Sequence, residues 1–241
     1  MPLSRALTTS LGRAPWIVLA ALALACAGCA GDPPPVVSAV VAPPERVEKP
    51  PEAESEIGGL NEEAVNAAFA ALRPGVLHCA EQGASKTSTL GGDIKVKVRI
   101  DRAGAARWAY VSESSLGDRD TEKCVLALAR AKTWPKPVGG DGLAESSFSI
   151  DATKEPVLVE EKKVARDVAR ARAAVQHCRR AVRGTFTATA HVAASGKVSA
   201  AGVSAPNELA EDASDCMVEE LLKLRFRTGV GKATKLSFDL R

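Results

Sequence analysis

Aromatic side chains are scarce in this chain of 241 residues, which has three Trp, one Tyr and five Phe. The hydrophobic share of 46% therefore rests on Ala, Val and Leu, and cores built from them are thin. Histidine is scarcer still, at three, so a catalytic set or metal centre that needs several imidazoles has little to draw on. No glycine-rich loop of the phosphate-cradling kind occurs, no Ser-His-Asp set stands out, and no carboxylate pair recurs along the chain. These absences argue against an enzyme, and no catalytic residue, metal or cofactor is assigned. Excess charge of one sign is missing too. Lys and Arg number 32 against 29 Asp and Glu, which leaves no broad field to draw nucleic acid, and no nucleic-acid partner is expected.

What is present begins with "MPLSRALTTSLGRAPWIVLAALALACAGCAG", the pattern of an export signal. Arg5 and Arg13 precede an uncharged run that ends in small residues around two cysteines. From Trp16 to Ala30 the run holds fifteen uncharged residues, short of the ~20 that a helix needs to cross a bilayer. Its end resembles a bacterial lipobox, whose Cys is acylated and becomes the new N-terminus. Cys26 follows "ALA", the usual apolar pattern; Cys29 follows "CAG" and leaves four further cysteines, an even number suited to pairing. Cys29 is the preferred lipid carrier and Cys26 the alternative, so residues 1–28 are read as the signal peptide and the membrane is reached through an N-terminal lipid. Loss of Arg5 and Arg13 leaves 30 basic residues against 29 acids. Ala30 is not the Asp that retains many lipoproteins in the inner membrane, and this resemblance implies an outer-membrane anchor facing the periplasm. Residues 29–59 hold seven of the fourteen prolines and no amphipathic period, so they are read as a disordered Pro-rich linker. At ~3.1 Å per residue in polyproline II it would reach about 90 Å.

Past the linker the chain repeats itself. A shift of 92 positions lays "GDIKVKVRIDRAGAARWAYV" (92–111) on "GTFTATAHVAASGKVSAAGV" (184–203) without a gap. The same shift carries Cys124 to Cys216 and Trp134 to Phe226. Upstream, "LHC" at 77–79 answers "QHC" at 176–178 once seven residues are dropped; downstream, "SSFSI" at 146–150 answers "KLSFDL" at 235–240. Each copy reads as a helix (61–79 or 160–182), a strand, a Gly turn, a second strand, a Cys-bearing helix and a last strand. Ile94, Val96, Val98 and Ile100 alternate onto one face, matched in phase by Phe186, Ala188, Ala190 and Val192. In the second strand the inward residues Ala106, Ala109 and Val111 step by three and then two, which predicts a bulge. The fold class is α+β, with two tandem α-β-β-α-β units, 60–152 and 158–241. Each is expected to be a three-stranded antiparallel sheet with helices on one face.

Four cysteines fall in matching helices. In an exported chain they are expected to pair within each unit, Cys79 with Cys124 and Cys178 with Cys216, each bridge restricting the unfolded chain by roughly 4 kcal/mol in the entropy model. Two rivals stand beside this. His78-Cys79 and His177-Cys178 suggest a base and nucleophile, but helical neighbours point about 100° apart; zinc held by one His and two Cys per unit lacks a fourth ligand. The face that the helices leave bare carries Lys95, Lys97, Arg99, Trp108 and Tyr110 in the first unit, a candidate partner-binding patch for an envelope protein or an anionic envelope surface. In the second unit the same positions hold Thr187, Thr189, His191, Ala200 and Gly202, so the patch is erased there and His191 is expected to be solvated.

The run "GGDIKVKVRIDRAGAARWAYVSESSLGDRDTEKCVLALARAKTWPKP", with "LHC" before it and "SSFSI" after it, resembles the AgmX/PglI C-terminal domain of myxobacterial envelope and gliding-motility proteins. It is also similar to the C-terminal module of the energy transducer TonB. The resemblance spans 65–151 closely and 168–240 loosely. Trp134 stands where that family has Phe, and the second unit lacks prolines after Phe226. It implies a non-catalytic binding or scaffolding module with a possible tie to motility. The alternatives are a TonB-like transducer, which needs an N-terminal helix kept in the membrane, and a Cys-dependent redox enzyme, which needs a reactive thiol.

Overall fold

Asn61 accepts a hydrogen bond from the Ala64 amide at 2.8 Å and caps α1, Glu62–Lys86, satisfying one of the free donors of a helix start. The helix runs past its expected end at Cys79, through much of the stretch that the repeat comparison drops. In this computed structural model, residues 58–179 and 182–241 are described, and they belong to one compact unit, Glu52–Arg241. The lipidation candidates Cys29 and Cys26, the signal peptide and most of the linker lie outside the described residues. No helix among the described residues is long and apolar enough to cross a membrane.

After α1 come β1 (Gly92–Ile100), β2 (Ala106–Ser114), α2 (Arg119–Ala131) and β3 (Gly142–Ile150). The three strands pair antiparallel in the order β2-β1-β3. Ile94, Val96, Val98 and Ile100 are all at most 1% exposed and pack in one core with Phe69, Val125, Leu126, Trp134 and Phe148. Phe69 meets Trp134 and Phe148 there edge-on, at 4.7 and 6.2 Å between ring centroids.

The second half opens with β4 (Val157–Leu158) and a 3-10 turn (Glu161–Val164). Then follow α3 (Ala165–Ala174), α4 (Gln176–Arg179), β5 (Phe186–Val192), β6 (Val198–Ser204), α5 (Glu211–Leu222) and β7 (Thr234–Leu240). Its sheet is four-stranded and mixed, in the order β4-β7-β5-β6 with β4 parallel to β7, which corrects the expected three antiparallel strands. The added strand comes from the connecting segment, which covers the otherwise unpaired edge of β7. The helix expected over 160–182 is broken into the 3-10 turn, α3 and α4.

Backbone detail recurs 92 residues apart. Gly92 and Gly184 have φ of 127° and 118°, and Gly104 and Gly196 have 88° and 84°, left-handed values that favour glycine. Trp134 N donates to Gly104 O at 2.8 Å, as Phe226 N does to Gly196 O. The predicted bulge falls between Arg99 and Ile100 in the first sheet and between His191 and Val192 in the second. The last strands match differently from the sequence reading. Ile94 faces Phe148 and Phe186 faces Leu240, so Leu240, not Phe238, is the register counterpart of Phe148. A two-residue slip keeps every side chain on its face, so alternation cannot reveal it.

Candidate functional site

The site is built from the sheet faces that the helices leave open. In the first sheet, strand register sets Lys95, Lys97 and Arg99 of β1 beside Glu113, Tyr110 and Trp108 of β2, and beside Ser147, Glu145 and Leu143 of β3. The bulge brings Trp108 and Tyr110 onto this face. The cations there already have partners. Lys95 Nζ lies 3.5 Å from Glu113 and 3.2 Å from Glu145, and Lys97 Nζ is 3.2 Å from Glu145. Arg99 and Arg107 share Asp141, at 3.0 and 3.2 Å. Hydrogen bonds from Lys97 and Lys95 hold the Glu145 carboxyl below its ordinary value. Glu145 and Asp141 escaped the sequence reading because they arrive from a strand some fifty residues away.

Tyr110 corrects the candidate patch. It is only 6% exposed and packs in the core of the second half, with Ala205 and Ala210. Trp108 is partly buried beside it, 5.6 Å away between ring centroids. What remains open is a groove of about 200 Å³ whose lining includes Lys97, Arg99, Trp108, Leu143 and Glu208. It contains cation, aromatic and aliphatic groups from the first half and one carboxylate from the second.

The open face of the second sheet is largely covered. Thr189 is 1% exposed and His191 2%, because the segment 114–118 and Thr89 lie on them. His191 is thus a second correction. Its Nε2–H donates to Leu116 O at 2.7 Å, and its Nδ1 accepts from Thr89 Oγ1 at 3.0 Å, the one assignment a carbonyl and a hydroxyl allow a neutral ring. Burial pushes the imidazole below its ordinary value. Lys235 donates to Gly91 O, and burial lowers its ammonium too. Ala205 N donates to Val111 O at 2.9 Å, tying the end of β6 to β2.

Beside this contact sits a buried charge cluster. Asp118 caps α2 through Thr121, and the helix projects Arg119 and Glu122 toward α5. Arg119 reaches Glu211 and Asp215, both at 2.7 Å, and Glu211 also accepts from Val111 N at 3.3 Å. Glu122 is fully buried. Its polar neighbours are the Ser114 side chain and Arg119 Nη1, 3.8 Å away, neither oxygen makes a well-formed hydrogen bond, and burial pushes the carboxyl up to about 7. Gly202 makes room for it, since a Cβ there would overlap Glu122 Oε1. The small residues Ala200 and Gly202, read in sequence as an erased patch, were the signal that another surface docks there.

The cysteines pair as expected, Cys79 with Cys124 and Cys178 with Cys216, with Cα atoms 5.8 and 5.6 Å apart. Among the described residues His177, Cys178 and Cys216 are the one group with metal-like proximity, but both sulfurs are consumed by their bridge. The described fold is that of a disulfide-stapled α+β protein with two small sheets. No family model, no curated protein and no solved structure matches this chain.

Proposed function

We propose that this protein is a non-catalytic lipoprotein of the cell envelope, carrying two α+β units derived from one repeated unit on a Pro-rich tether and serving as a protein-binding or scaffolding module. The anchor is the lipid on Cys29, or on Cys26, in the outer membrane facing the periplasm. The carrying observation is the asymmetry of the two open sheet faces. The second is consumed against the first half, with Thr189 and His191 at 1% and 2% exposure, whereas the first keeps the groove beside Lys97, Arg99 and Trp108 open. The pairing of Lys95, Lys97 and Arg99 with acids favours a protein partner able to exchange those ion pairs over a purely anionic surface. The rival reading as a redox enzyme needs a reactive thiol, and Cys79, Cys124, Cys178 and Cys216 are bridged.

Full-length protein carrying a photo-crosslinker at Arg107, incubated with the native envelope, is expected to give one discrete adduct. Trp108→Ala or Lys97→Glu should reduce it at least tenfold. An adduct that neither substitution changes would sink the binding role of this face, and uptake of labelled palmitate by a Cys29→Ser, Cys26→Ser double variant would sink the lipid anchor.

A further inference from the structure

Charge is spread unevenly along the chain. Residues 160–172 hold Lys162, Lys163, Arg166, Arg170 and Arg172 against Glu160, Glu161 and Asp167, and residues 225–232 hold Arg225, Arg227 and Lys232 against no acid. That excess of five exceeds the +3 of the whole chain, so the other residues together are net acidic. The fold joins the two segments at both ends. Arg227 N donates to Asp167 Oδ2 at 2.6 Å, while Thr234, just past the second segment, pairs with Val157 in the ladder between β4 and β7. The 3-10 turn, the start of α3 and the loop 227–233 therefore make one end of the second half, where Lys162, Lys163, Arg166 and Arg227 line one hollow.

Most of this charge faces water. The side chains of Lys162, Arg170 and Arg227 are 78%, 53% and 73% exposed, and Lys163, Arg166 and Lys232 are exposed too. Lys162 pairs with Glu160 and Arg172 with Glu161, while Arg170 and Arg227 share Asp167; among the described residues Lys163, Arg166 and Lys232 have no ion-pair partner. Exposed aliphatic side chains accompany the cations: Leu158 at 74%, and Val157 and Val230 at 39%. Attraction to anionic headgroups and insertion of a few apolar groups among them are the two components of interfacial membrane binding. An enclosed site for a small anion is a poorer match, because the cation heads stand open. Nucleic acid is poorer too, since the one aromatic of the two segments, Phe226, is fully buried and leaves no ring for a base to stack on.

We infer that this end of the second half is a docking surface for a bilayer containing anionic phospholipids. Screening confines electrostatic fields to ~8 Å at physiological salt, so such a bilayer senses the local excess rather than the near-neutral total. Each cation at the surface changes binding by about fivefold. The surface shares no residue with the groove beside Trp108 and does not depend on that groove's role.

The test is co-sedimentation of residues 52–241, the compact unit that carries both cores and both bridges, with vesicles of phosphatidylcholine alone or with about 30% phosphatidylglycerol. This segment omits the signal peptide and both lipidation candidates, so binding by an acyl chain does not enter. Sedimentation is expected only with phosphatidylglycerol, and binding should fall at least tenfold between about 50 and about 300 mM salt. Lys163→Glu with Arg166→Glu should weaken it at least twentyfold, and Leu158→Ser about threefold. Arg102→Glu with Lys136→Glu, the same charge change at exposed positions of the first half, should leave it within about twofold. Equal binding to both vesicles, no binding to either at low salt, equal loss in the two double variants, or tighter binding of a single-stranded oligonucleotide than of the vesicles would each overturn the inference.

Discussion

Glu122 is the residue whose surroundings say most about how the halves fit. An acid whose folded value is raised to about 7 from an ordinary 4.5 holds its proton in the fold after the unfolded chain has lost it. Its contribution to stability is complete below about 4.5 and is lost as pH rises toward 7, by roughly 3 kcal/mol in all. His191 acts in the opposite sense: burial lowers its value, so its contribution is present above the ordinary histidine range and is lost as pH falls below it. The raw pH profile of unfolding therefore mixes the two. The difference between wild type and Glu122→Gln isolates the acid, and urea melts are expected to show the Gln variant gaining on wild type steadily from pH 4.5 to 7. A difference that does not vary with pH would mean that Glu122 is not held neutral. Gly202 belongs to the same contact. Gly202→Ala forces its new methyl onto Glu122 and should destabilise by about 1–3 kcal/mol, with most of that recovered in the Glu122→Ala background, since the two changes share one contact.

At the level of elements, each half is a thin Ala- and Val-rich sheet tied to its helices by one bridge. The central strand of the second is the thinner: Ala188 and Ala190 stand where the first half has Val96 and Val98. The bridge between Cys178 and Cys216, with 38 residues of separation, should therefore matter more there. Replacing both cysteines by Ser is expected to cost roughly 2–5 kcal/mol, read as a lower urea midpoint. The same replacement at Cys79 and Cys124 removes a similar entropic restraint from a core whose central strand is fuller, with Val96 and Val98 in place of Ala188 and Ala190, so that variant should stay folded at higher urea. Equal midpoints for the two variants would contradict this ranking. The elements themselves were legible because their signals are local. Alternation set β1 and β5, and a step of three residues in β2 announced the bulge. The register of β7 and the pairing of β4 were not legible, since a slip of two leaves the pattern unchanged and Val157–Leu158 is too short to show a period.

For the whole molecule, the decisive feature is a polar contact between halves with charge at its centre. Arg119 is 7% exposed and Glu211 4%, and breaking such a pair by removing one member costs about 3–5 kcal/mol because the other charge is left buried. Arg119→Ala is expected to uncouple the halves. Wild type should show one unfolding transition, with amide exchange in β1 and β5 slowing to a common limit, whereas the variant should show faster exchange in β5 than in β1. Identical protection of the two strands in Arg119→Ala would show that the cluster does not join them.

The amino-acid sequence by itself determined what nearest neighbours along the chain can encode: inward faces of strands, glycines at left-handed turns, and the bulge. These follow from backbone sterics and a period of two, which act within a few residues. Only the tertiary structure decided where the second sheet's open face goes, that Tyr110 serves the other half's core, and that acids neutralise Lys95 and Lys97. Thr189, His191, Ala200 and Gly202 have the same pattern whether water or a protein surface covers them. The partner that settles the matter for His191 is Leu116, 75 positions away, where no local periodicity reaches.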